Sequence, residues 1–102
     1  MTDSRHELSI IQSLAERFER SRLPRLLDLR QRVEQGDVLS ELDIVFLEEV
    51  IHDARQSKPL MDHYPEWQRF CASVIHLYEQ ITEKALDNEN SIHRDSSSRF
   101  PH

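Results

Sequence analysis

The chain has 102 residues, 37% hydrophobic and 31% charged, with a formal net charge of −6; this is enough for one domain, and a second core would be too small to stand alone. A single glycine, Gly36, excludes the phosphate-cradling loops of nucleotide enzymes and most hairpin turns, so the composition points to helices. The acidic balance argues against general binding to the nucleic-acid backbone, and apolar runs of at most four residues (Ile44–Leu47) fall far short of a membrane span.

The charge is unevenly spread. Residues 1–36 carry seven arginines against six acids, and residues 37–90 carry four bases against twelve acids. One cysteine, Cys71, allows no internal disulfide and fits a reducing compartment. The N-terminal M-T-D-S-R-H-E-L has neither the apolar core nor the cleavage pattern of a signal peptide, so the cytoplasm is the expected location.

From about Arg5 the apolar residues Leu8, Ile11, Ala15 and Phe18 recur at spacings of 3, 4 and 3, which predicts an amphipathic helix. Pro24 interrupts it. Either one helix runs from Arg5 to Gln35 with a kink, or Ser21 caps a second helix with Pro24 in its first turn. Leu26, Leu29 and Val33 keep the phase of the first stripe, which favours the kinked form. Gly36 is the expected stop, in the C′ position. Arg17, Arg20, Arg22, Arg25, Arg30 and Arg32 cluster on this stretch, interleaved with Glu16, Glu19, Asp28 and Glu34. Glu16–Arg20 and Asp28–Arg32 have helical ion-pair spacing. Without aromatic interleaving this is a solvated face, with Arg22 and Arg25 as candidates for a protein contact.

Ser40 precedes Glu41, Leu42 and Asp43, a variant capping box that starts a helix over Glu41–Gln56. Its apolar residues (Leu42, Ile44, Val45, Phe46, Leu47, Val50, Ile51 and Ala54) cover so wide an arc that neighbours are expected on two sides. The turn S-K-P-L-M-D-H-Y-P follows, bracketed by Pro59 and Pro65, with Asp62 as a cap or turn-former. Pro65 suits the first turn of the last helix, about Pro65–Asn88. There Trp67, Cys71, Val74, Tyr78, Ile81 and Ala85 are spaced 4, 3, 4, 3 and 4, widened by Phe70 and Leu77, a seam suited to bundle packing. Residues 91–102 lack periodicity and read as a disordered tail on a domain of residues 1–90.

Glu49-x-x-His52 is the one spacing that carries metal chemistry, because residues three apart share a helix face. It resembles half of the ligand set of the ferritin-like di-iron proteins. That set has two such pairs and two further carboxylates, whereas the last helix offers His76-x-x-Glu79 in reversed order. The residues themselves read as a solvated charge face, so no metal or cofactor is expected. A metal site on Glu49, His52, His76 and Glu79 is the alternative. His63, between Asp62 and Tyr64, has no serine or cysteine nucleophile in a context that pairs with it, and reads as a turn residue. Cys71 lies on the apolar seam and reads as a small buried hydrophobe rather than a nucleophile. Tyr64 and Trp67, with His63, are placed to anchor a partner or to close a small core.

The expected fold is therefore all-α: a small antiparallel bundle of three segments, the first long and kinked, or four helices if Pro24 splits it. At about 1.5 Å per residue the first, middle and last segments would span roughly 45, 24 and 36 Å. So short a middle helix leaves apolar stripe uncovered, which implies a homodimer or a helical partner. The expected function is that of a non-catalytic adaptor or regulator acting through protein contacts.

Overall fold

The computed structural model describes residues 4–98, with side-chain environments for residues 5–92. Among the described residues it consists of α1 (Ser4–Ser21), α2 (Leu23–Glu34), α3 (Glu41–Met61) and α4 (Pro65–Ser98), with no strand. The first segment takes the split form rather than the favoured kinked one, and Ser21 ends α1 while Arg22, with no side-chain cap bond, holds the N-cap position of α2. Arg22 is the junction, at φ −109° and ψ −37°, and Pro24 lies in the first turn of α2, where its missing N–H is harmless. The backbone bonds Arg22 to Phe18 and Leu26 to Arg22 carry the chain across the break at 2.8 and 3.0 Å. The stripe accordingly stays in phase: Ile11, Ala15, Leu26, Leu29 and Val33 are all buried.

Glycine and proline then set the ends. Gly36, at φ +103°, occupies the left-handed position after α2. The amide of Gly36 donates to the Val33 carbonyl, and that of Asp37 to Arg32, both at 3.0 Å. This is the paired-bond closure of a Schellman motif, which satisfies carbonyls that the helix end leaves open. The chain reverses over residues 37–40, and Ser40 caps α3 as its sequence predicts. The Asp43 amide donates to Ser40 Oγ at 3.2 Å, and the Ser40 amide donates to Asp43 Oδ2 at 3.1 Å.

Two expectations for α3 are corrected. The helix does not stop at Gln56 but runs through Pro59 to Met61. Helical phase places Pro59 on the solvent side, so the Arg55 carbonyl it leaves open is free to meet water, while the same extension buries Met61. The turn is thus only Asp62–Tyr64, and α3 spans about 31 Å rather than 24 Å. Second, the wide apolar arc is covered only in part. Leu47, Val50, Ile51 and Ala54 are buried, but Leu42, Ile44 and Val45 are exposed, Leu42 at 76%. The molecule measures 72 × 21 × 18 Å; two helix diameters across, it leaves every helix a solvent side.

α3 runs antiparallel to α2 and α4, and α4 packs most extensively on α3 and next on α2. Cys71, Val74, Ile81 and Ala85 on the α4 seam are buried, with Trp67, Phe70, Leu77 and Tyr78 half-buried beside them. The seam has one further member. Asn88, three residues after Ala85 and 8% exposed, donates through Nδ2 to the carbonyls of Val33 at 2.7 Å and Asp37 at 2.8 Å. One side chain so fastens α4 to the closure that ends α2. Residues 89–92 are exposed, and the helix continues beyond the expected end at Asn88 to Ser98. Of the expected tail, residues 99–102 lie outside the described residues.

Candidate functional site

The kink at Arg22 makes the site. α2 lies close on α4, whereas α1 touches α3 sparingly. Polar bonds hold α1 near both its ends. Tyr64 Oη donates to Glu7 at 2.6 Å, and Arg22 pairs with Asp53 at 2.7 Å. Between them a cleft of about 450 Å³ separates α1 from α3 and α4, within the size range of ligand sites. Its walls are apolar: Leu14 and Phe18 from α1, Val50 and Met61 from α3, Phe70 and Val74 from α4. Phe18 meets Phe70 edge-on with centroids 5.7 Å apart, and Trp67 meets Phe70 in the same way at 5.9 Å; such pairs add about 0.5–1.5 kcal/mol to their burial. Arg17, Ser21, Arg22, Asp53 and Ser57 supply the polar rim.

Cys71 also lines this cleft, as a buried residue. Its thiol donates to the Ala54 carbonyl at 3.4 Å. Burial, with a smaller contribution from Asp62, pushes its pKa above the ordinary thiol value despite the opposing Lys58. A protonated, bonded thiol among apolar groups is a poor nucleophile.

Above the cleft, α2 and α3 are clasped by charge. Asp43 is 5% exposed, and Arg25 and Arg32 each approach its Oδ1 at 3.5 Å. Burial opposes the ionised form. Hydrogen bonding to the carboxyl from the Ser40 backbone and side chain, with Arg32 and Arg25, outweighs it, so the carboxyl stays below its ordinary pKa. Arg25 also lies 4.3 Å over the Phe46 ring, a cation–π contact. Of the two ion pairs expected along the arginine stretch, Asp28–Arg32 forms at 3.0 Å, and Glu16–Arg20 is not among the ion pairs of the described residues.

The candidate residues thus fall into distinct places. Arg22 and Arg25 serve the α1–α3 and α2–α3 clasps. Tyr64 tethers α1, Trp67 is half-buried against Phe70, and His63 is exposed in the turn. Glu49 and His52 are exposed on α3, while His76 and Glu79 line a shallow groove with Lys58 and Asp62. Among the described residues no group of three or more His, Cys, Asp or Glu is arranged to hold a metal ion. The structure does not bring the Glu49–His52 and His76–Glu79 pairs together in one pocket. Two important residues escape sequence reasoning, Asp43 as an arginine acceptor and Asn88 as a clamp. Asn88 had a signal, its seam phase. No helix among the described residues is long and apolar enough to cross a membrane. Comparison with protein-family models, with curated proteins and with solved structures finds no match for the chain.

Proposed function

We propose that this chain is a non-catalytic interaction protein of the cytoplasm, an adaptor or regulator that acts through helix faces and associates with itself. The observation that carries this reading is two pairs of apolar side chains left in solvent, one on α1 at the cleft and one at the start of α3. Ile10 and Leu14 stand on α1, and Leu42 and Val45 on α3. Single exposed hydrophobes are ordinary, but grouped ones mark contact surfaces. The polar groups in the cleft are mutually paired or at its rim, and its one thiol is held protonated, which suits a docking surface better than a reaction centre.

The test is capture from the native cell with the tagged chain, beside a Leu42→Asp variant. Leu42 is so exposed that the substitution leaves the core intact, and an acid in the first turn suits the helix dipole. Specific capture by the wild type that the variant loses supports the reading. Equal capture by both removes this surface from it.

A further inference from the structure

The reading as an interaction protein leaves open what covers the apolar face. We infer that it is a second copy of this chain, turned end for end, with α3 of each copy entering the groove between α1 and α3 of the other. The inference rests on the proposed function and names its partner.

Two stripes carry it. On α1, Ile10, Leu14 and Arg17 are spaced 4 and 3 and share one side of the helix; Leu14 and Arg17 line the cleft. On α3, Leu42, Val45 and Glu49 are spaced 3 and 4 along its solvent side. Each stripe reads apolar, apolar, charged, and the charges are opposite. All six side chains are exposed. Arg17 and Glu49 form no ion pair among the described residues.

Direction and level agree as well. α1 and α3 are antiparallel within the chain, so α3 of a reversed second copy runs parallel to α1. Leu42 then meets Ile10, Val45 meets Leu14, and Glu49 meets Arg17. A two-fold axis on the solvent side of α3, at the level of Ile51, carries Leu42, Val45 and Glu49 to the levels of Leu60, Ser57 and Asp53. Ser57 and Asp53 line the same cleft as Leu14 and Arg17. At that point Arg17 and Arg22 stand against Asp53 and the incoming Glu49, two cations for two acids. Because the operation is two-fold, each copy gives and receives the same contact and the assembly closes at two. Glu49 set against its own copy would repel; the reversed pairing avoids this by setting the α3 stripe on the arginine-bearing α1 stripe.

Sedimentation of the full chain over a concentration series tests this. The wild type should run as a dimer, and Leu42→Asp should weaken it at least tenfold. Arg17→Glu and Glu49→Arg should each weaken it, and the double variant, which restores opposite charges across the axis, should recover most of the loss. Circular dichroism melts establish that each variant folds. A dimer that ignores Leu42→Asp and both charge reversals overturns this interface. A wild-type chain that stays monomeric overturns the second copy as occupant and with it the self-association; if it still captures another protein through Leu42, the reading as an adaptor or regulator survives, and if it captures nothing, both fall.

Discussion

Asp43→Ala tests the α2–α3 clasp most directly. The substitution removes the acceptor for the Ser40 amide and the shared partner of Arg25 and Arg32. A hydrogen bond to a charged group contributes about 1.5–3 kcal/mol. The two guanidinium contacts, long at 3.5 Å and made by half-exposed arginines, add about 0.5 kcal/mol each at most. The expected loss is therefore about 2–4 kcal/mol. Asp43→Asn keeps an oxygen for the Ser40 amide and loses only the charge, so about 1–2 kcal/mol is expected. Ser40→Ala costs about 1 kcal/mol as a lost cap; each substitution removes one of the two capping bonds and leaves the other in place. The carboxyl pKa is lower folded than its ordinary 3.8. Its stabilisation is therefore complete above the unfolded value and is lost as pH falls through the folded one. Urea melts followed by far-ultraviolet circular dichroism, repeated from neutral pH down through the carboxylate range, measure all of this. If Asp43→Ala melts within about 0.5 kcal/mol of wild type, the value expected of an ordinary surface site, the clasp has been misread. An acid limb that is the same in Asp43→Asn refutes the ionisation argument.

Four further outcomes are expected. Asn88→Asp sets a carboxylate against two carbonyls and should cost about 2–4 kcal/mol in the same melts, more than Asn88→Ala. Gly36→Ala meets no neighbour within 4 Å, so its cost should be backbone strain alone, about 1–2 kcal/mol, and Gly36→Asn should cost less. Pro59→Ala restores a helical N–H and should stabilise by about 1–3 kcal/mol; a destabilised variant would mean that α3 does not run through residue 59. Cys71 should react with a thiol reagent only as fast as the bundle opens, and labelling of the folded protein at the rate of a free thiol would contradict its burial.

The helices themselves were legible because their signals are local. The stripe from Leu8 to Val33, the Ser40 cap and the Gly36 stop each depend on residues within one or two turns. Pro59 misled because a proline in isolation ends a helix. Here its solvent-side phase removes much of the penalty, and burial of Met61 rewards the extra turn. The intrachain partners of the arginines were illegible for another reason. Arg22 and Arg25 look like a free basic face, but their acids, Asp53 and Asp43, lie far along the chain and are brought to them only by the α2–α3 reversal. No local spacing encodes such pairs. Asn88 falls between these cases, its phase readable and its two carbonyl partners not. Of the candidate site, Tyr64 and Trp67 could be placed at the head of α4, but the cleft beside them is a product of the kink and has no sequence pattern of its own.

The tether of Tyr64 to Glu7 and the clamp of Asn88 on Val33 join residues 57 and 55 positions apart. Bonds of that reach bear on the order in which the chain assembles. Closing a long loop costs entropy before any contact repays it. The α3–α4 hairpin, joined by three residues, has no such delay. Once formed, it presents Tyr64 at its turn and Asn88 near its open end, on the two sites that α1 and α2 must find. Docking of α2 on Asn88 and Asp43 would then precede that of α1, which has the fewest packing contacts. The same order, reversed, is the expected path of opening: amides in α1 exchange first, and those of the hairpin last.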